Sequence, residues 1–363
     1  MISILLLHAE SEAQLTHKHV WDEIERISNK LGHDFSQFVK ERNGVLRFEA
    51  AEGTLRPDRW ATIPPKGTEG GIADSPAGFA LFFLTTTSIP LSGPQIEWAD
   101  FCWDCWNSKV GAIIEASRGF GKSIFMRCAL AHLMGLYPEK SSIIVRASDN
   151  PARKTAEGIA KIVSDNPAWK LWYPDVKPKS SPGQSGGEWS AQIGYSVIDL
   201  SRPPEEWAVV ETARTSPSLS KYGLQSKGVL GSRATLAMLA DDIHDSENSE
   251  SPSQLADTIT RFQEHLEPAR TPDSRLAIIG TPWGNDDLLQ VLPATGEYRK
   301  MKTPITLGGV YPGTPAWPEM YDESDIDRIY RSDITPSKQG FKRNRLLDLV
   351  AELERHFTYT FFP

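Results

Sequence analysis

Short apolar runs separated by amphipathic stretches organise the chain from about residue 78 onward. KVGAIIEA (109–116), SIIVRA (Ser142–Ala147), TLAMLA (235–240) and RLAIIG (Arg275–Gly280) are nearly all apolar, as expected of strands buried on both faces. Between them, 122–136 and 252–267 read as helices, and Asp149–Asn150–Pro151 is a cap-and-proline start for a helix running to about Ser164. The alternation predicts an α/β fold with a mostly parallel central sheet flanked by helices. The runs 192–200 and 206–212 also read as strands, and 174–190 and 214–232 as loops. Ahead of this body, Val20–Val39 has a mixed helical spacing and 57–77 is rich in Pro and Gly. After it, 318–355 is charged and reads as helical pieces broken at Asp333–Pro336. The expected division is an N-terminal region and linker at 1–77, a main domain at 78–317 and a linker or stub at 318–363.

Composition narrows the classes. At 363 residues, 39% hydrophobic and 24% charged, the chain is long enough for a sizeable core and is not a disordered polymer. A net charge of −8 excludes coating nucleic acid by bulk positive charge, while leaving room for a local basic face. Three cysteines argue against a secreted disulfide scaffold. MISILLLHAE lacks the basic start of a signal peptide, and the apolar run ending at Leu84 is far shorter than the ~20 residues of a spanning helix. A soluble, intracellular protein is expected, without a membrane partner.

The strongest local chemistry lies at Ala116–Ser123, ASRGFGKS, between a strand and a helix. Apart from Ala116 at the first position, it fits the Gly-x-x-x-x-Gly-Lys-Ser/Thr phosphate loop. Gly119 and Gly121 allow the N–H groups of Ser117, Arg118, Phe120 and their neighbours to turn toward phosphate oxygens, at a helix N-terminus that favours anions. Lys122 is placed for the β- and γ-phosphates and Ser123 for Mg²⁺, which makes ATP and Mg²⁺ the expected ligands. A dinucleotide fingerprint does not fit, because the third glycine is missing.

A hydrolytic site also needs carboxylates from a second strand. TLAMLA ends in Asp241, placed for the metal, and Asp242, placed to polarise the attacking water. A rival metal cluster of Asp241, Asp242, His244 and Asp245 is disfavoured, because neighbouring strand residues point to opposite faces. The next core strand ends in Gly280–Thr281–Pro282, where Thr281 could relay the nucleotide state or simply mark a turn. Upstream, the Gln95 amide could read adenine, or could be a solvent-facing group at a helix start.

Taken in order, GPQIEW, AIIEASRGFGKS, SIIVRAS, GVLGSRATLAMLADDIHD and SRLAIIGTPW resemble the ATPase domain of the large terminase subunit of tailed bacteriophages, most closely the podophage type. The resemblance covers roughly 78–320. It implies a P-loop NTPase fold of the ASCE class, with Gln95 as adenine reader, Lys122 and Ser123 as phosphate and Mg²⁺ contacts, and Asp241 as metal carboxylate. Asp242 would be the catalytic carboxylate and Thr281 the coupling residue. Arg118 in the loop, or Arg233 before the acidic strand, would stabilise phosphate charge, in cis or from a neighbouring subunit. The implied activity is ATP-driven translocation of double-stranded viral DNA into a procapsid, in the host-cell cytoplasm. The implied partners are the portal protein, the small terminase subunit and further copies in a homo-oligomeric ring. Relatives carry a C-terminal nuclease domain, and the chain stops at Pro363, so no cleavage is expected from this chain alone. The alternatives are a helicase-like nucleic-acid-stimulated ATPase and a non-catalytic nucleotide-binding remnant of a split or truncated terminase.

Three weaker signals read as structure. Gly183–Gly187 (GQSGG) matches a nucleophile elbow but lacks the preceding strand. Cys102-x-x-Cys105 lies among Trp98, Phe101, Trp103 and Trp106, as on the buried side of a helix. Lys338, Lys342, Arg343 and Arg345 could touch DNA but read more readily as a solvated helix face.

Overall fold

The computed structural model describes residues 39–42, 45–48, 74–87, 91–179, 189–190, 192–226, 230–245, 249, 251–284, 286–309, 311, 313–318 and 321–327. The expected helix at Val20–Val39, the GQSGG segment, the basic run at 338–345 and the break at Asp333–Pro336 fall outside these residues, apart from Val39 itself. Strands β1 (Val39–Arg42) and β2 (Val45–Phe48) form an antiparallel pair that begins where the expected helix at Val20–Val39 ends.

The body is an eight-stranded sheet. Its members are β3 (Gly111–Ala116), β4 (Ser142–Arg146), β6 (Trp189–Ser190), β7 (Gly194–Tyr195), β9 (Leu219–Gly223), β10 (Ala237–Asp241), β11 (Arg275–Gly280) and β12 (Tyr298–Thr303). The order is β12-β3-β11-β10-β4-β9-β7-β6, parallel from β12 to β9 and antiparallel only at the β7 and β6 end. A separate pair joins β5 (Val176–Pro178) to β8 (Val197–Asp199).

Strand alternation builds two cores. Ala112 and Ile114 of β3, Leu239 of β10 and Ile279 of β11 face α1 (Pro76–Thr87), α2 (Gly93–Asn107), α3 (Lys122–Leu136) and α4 (Asp149–Asp165). Ile113, Met238 and Ile278 face the other way, onto α7 (Pro252–Arg261) with the turns that extend it to Ala269, and onto α8 (Leu288–Val291). Both faces are therefore covered, and the strands read as continuous apolar runs. In α4 the buried residues Ala152, Thr155, Ala156, Ile159, Ala160 and Val163 recur at helical spacing, which lays that helix along the sheet. The short helix α5 (Pro167–Trp172) follows it.

Four differences from the expected elements have identifiable causes. The run 206–212 lies in a helix, α6 (Pro204–Ala213), rather than a strand. Pro204 at its start and Glu205–Glu206 in its first turn are helix-start chemistry, and Val209 is 69% exposed, so the apolar run did not mark a core strand. The loop expected at 214–232 contains β9, a central-sheet strand whose Ser218 and Ser220 neighbourhood hid it. Edge strand β12 was not anticipated, because Arg299, Lys300 and Lys302 interrupt its apolar character. Finally, contacts cross the expected boundaries at 77 and 318: Asp74 is bonded to Arg275, Tyr321 packs against the core and Ile326 is buried.

The apolar run ending at Leu84 is helix α1, with Phe79, Phe82, Phe83 and Leu84 buried in the core. No described helix is long and apolar enough to cross a membrane. Cys102 and Cys105 are buried on α2 as expected, and burial pushes the Cys105 thiol up to about 11, so it is not a reactive thiolate.

Candidate functional site

Parallel strands deliver their C-terminal ends to one edge of a sheet, and β3, β4, β10 and β11 all finish at the same edge. Their last residues and the loops after them bring Lys122, Ser123, Arg146, Asp241, Asp242 and Thr281 together.

Ala116 closes β3, and the chain then turns through Gly119 and Gly121, at φ 86° and 72°, before α3 begins at Lys122. Both angles lie where glycine is favoured. A Cβ on Gly121 would come within 2.6 Å of Gln95 Nε2, and one on Gly119 within 2.2 Å of the Tyr321 hydroxyl. Glycine therefore serves close approach as well as backbone conformation.

Lys122 is folded back and buried. Its Nζ donates to Ala116 O (3.1 Å), Ser117 O (3.1 Å) and Thr281 Oγ1 (2.7 Å), and lies 3.7 Å from Asp242 Oδ1. Burial pushes its ammonium below the ordinary lysine range, opposed by the charges of Asp242 and Asp241.

The two carboxylates reach the site differently. Asp241 ends β10, is 0% exposed and takes a charged hydrogen bond on Oδ2 from Arg146 NH1. Its Oδ1 is buried without a hydrogen-bond partner. Burial raises its pKa, with Asp242 adding to the rise, while Arg146, Ser123 and Lys122 pull the other way. Asp242 has a left-handed backbone, φ 45°, an uncommon conformation outside glycine that Asp tolerates better than most residues. That twist breaks strand alternation, so Asp242 also meets the site: Oδ1 accepts from the Thr281 N–H at 3.3 Å and faces Lys122.

The rival metal cluster does not form. His244 Nε2 accepts from the Leu288 N–H at 3.0 Å, and Asp245 accepts from Gln225. Among the described residues there is no group of three or more His, Cys, Asp or Glu that could hold a metal ion. What remains for a cation is the Asp241 carboxylate with its free Oδ1, beside the Ser123 hydroxyl. Two protein oxygens suit Mg²⁺, which keeps waters and takes further oxygens from substrate phosphates.

The remaining residues read from sequence divide. Arg118 is at the mouth of the site, its guanidinium 5.2 Å from the Trp283 ring centre. Phe120 is buried, stacked on Tyr321 at 5.7 Å and edge-on to Trp317 at 5.8 Å. Gln95 is 3% exposed, which removes the solvent-facing alternative. Its Oε1 accepts from Ser92 N–H in a capping box, and its Nε2 donates to Phe120 O at 3.2 Å. The Ser-x-x-Gln spacing ahead of α2 was a capping signal available in the sequence. Both ends of the amide that would read adenine are engaged within the protein.

Arg233 is not part of this site. Its backbone bonds Ser216, ahead of β9, and Ser141, ahead of β4, which sets it at the entry end of the parallel strands, opposite the end where Asp241 closes β10. A role in cis is therefore corrected: the second arginine at the site is Arg146, at the end of β4. Arg146 NH1 also donates to Ser123 Oγ at 3.3 Å. The signal was an arginine ending an otherwise apolar strand, SIIVR, beside the acidic one.

The chain matches no protein-family model and no curated protein.

Proposed function

We propose that the chain is a Mg²⁺-dependent ATPase with a P-loop fold of the ASCE class, acting as the motor of a viral DNA-packaging terminase. The observation that carries the reading is the position of Lys122, bonded at once to Thr281 and the Asp242 side at the shared edge of parallel strands. The sheet order supports the class, since β11 is an additional strand between the loop-bearing β3 and the acidic β10.

In this reading ATP phosphates replace the contacts Lys122 makes at rest. The N–H groups around Gly119 and Gly121, with the start of α3, cradle phosphate oxygens. Ser123 and Asp241 would hold Mg²⁺, which when bound neutralises charge on the β- and γ-phosphate oxygens. Asp242 orients the attacking water and accepts its proton. Thr281 loses its bond to Lys122 when the lysine turns to phosphate, which reports occupancy to the segment after β11. Arg118 leaves the Trp283 face to meet phosphate charge. DNA translocation, the portal and small-subunit contacts, ring assembly and action in the host cytoplasm follow from the terminase resemblance.

Asp242→Asn tests the chemistry. The expected result is ATP binding kept within about threefold, with turnover down by about 10²-fold or more. Equal turnover in Asp242→Asn and wild type removes the role from Asp242. Stimulation of wild-type turnover by double-stranded DNA tests the packaging assignment.

A further inference from the structure

Among the described residues two buried carboxylate–guanidinium pairs stand in the body, and they are built differently. In the first, Arg275 grips both oxygens of Asp74 through two nitrogens, Trp103 Nε1 donates to Oδ1 at 2.9 Å, and the Tyr137 hydroxyl donates to Oδ2 at 2.5 Å. Both carboxylate oxygens are filled from several sides, as a permanent structural pair requires.

The second pair is left half-made. Arg146 reaches Asp241 through one nitrogen and one oxygen, and the same NH1 serves Ser123 Oγ at 3.3 Å and Thr155 Oγ1 at 3.5 Å. Asp241 Oδ1 and Arg146 Nε are both buried without a hydrogen-bond partner. The guanidinium thus rests on the two side chains, Ser123 and Asp241, that the ATPase reading gives to the metal. A cation already at hand on a buried carboxylate repels a second one over the same few ångströms.

We propose that Arg146 is a positioning residue that serves as the resident counter-cation of Asp241, keeping divalent metal off Ser123 and Asp241 until a nucleotide arrives. The inference rests on the ATPase reading above and adds an order to it. Nucleotide phosphates, strongly anionic, would draw the Arg146 guanidinium away from Asp241, leaving Asp241 and Ser123 as the residues that would hold the metal. The half-made pair suits this exchange, because moving Arg146 breaks one charged contact and two long hydroxyl contacts, whereas the Asp74 carboxylate is held by four bonds. Without a nucleotide, Arg146 compensates Asp241 and disfavours free Mg²⁺ there.

The test uses the full chain and Mn²⁺ as the probe ion, titrated by the loss of its free-ion paramagnetic resonance signal. Without nucleotide, Arg146→Gln is expected to bind Mn²⁺ about tenfold more tightly than wild type, and Arg146→Lys about threefold more tightly. The lysine keeps a cation near Asp241 but bonds it as a point charge, which makes it the reporter if the glutamine variant does not fold. With ADP present, wild type and variants are expected to converge to within about threefold. Adding Asp241→Asn to Arg146→Gln should erase the gain.

Mn²⁺ affinity in the nucleotide-free variants equal to wild type overturns the proposal, as does a gain that survives Asp241→Asn. Nucleotide binding that does not depend on Lys122 overturns the ATPase reading instead, so the two failures are told apart.

Discussion

Lys122→Ala is expected to lower kcat/KM for ATP by about 10³-fold while leaving the fold intact. The size follows from how many contacts one ammonium makes. Its Nζ already holds Ala116 O, Ser117 O and Thr281 Oγ1 and faces Asp242, and on the ATPase reading the same ammonium meets the phosphate charge. Alanine removes that charge from the loop and leaves Asp242 without its lysine counter-charge. The fold survives because Asp242 is one-third exposed and solvates when the lysine goes. Calorimetric titration with ATP, paired with steady-state turnover, separates lost binding from lost chemistry. Turnover unchanged by Lys122→Ala would falsify the phosphate-loop assignment.

Asp74→Ala is expected to carry the largest stability cost, about 3–5 kcal/mol, because it strands the Arg275 guanidinium in a buried site. Arg275 also lies 5.4 Å over the rings of Trp106 and Tyr137, and those contacts hold it in place without supplying a countercharge. For a body of this size the melting temperature should fall by about 10 °C. A fall of a degree or less would show that the pair contributes little.

The same pair predicts a pH response. Burial raises the Asp74 pKa, but the hydrogen bond and charge of Arg275, with Tyr137 and Trp103, outweigh it and hold the carboxyl below its ordinary value. A folded pKa below the unfolded one contributes stability that is fully present above the unfolded value, about 3.9. That stability is lost as pH falls through the folded value. Denaturation midpoints of wild type and Asp74→Asn should therefore approach each other below about pH 4 and separate above it.

Asp74 was placed in the linker by its Pro- and Gly-rich surroundings, which report local chain stiffness and nothing of a partner 201 residues later. Tyr321 was likewise assigned to a stub, yet its ring stacks on Phe120 and its hydroxyl closes over Gly119. Both are decided by packing between distant segments, which no window of sequence contains.

Lys122, Ser123, Asp241, Asp242 and Thr281 were legible from the sequence because each ends a strand or opens a helix, and parallel strands necessarily send those ends to one edge. The four core strands and helix α3 were legible for a related reason: burial on both faces leaves a continuous apolar run, and a helix leaves a period. Only the tertiary structure decided that Arg233 lies at the far edge and Arg146 at the near one, since an arginine before a strand and one after it look alike as letters. Only it decided that the Gln95 amide donates to Phe120 O in the loop, and that a left-handed Asp242 turns toward Lys122 beside Asp241. Local pattern specifies which segments form elements. Which side chains meet depends on strand order and on single backbone angles, and those follow from the packing of the whole sheet.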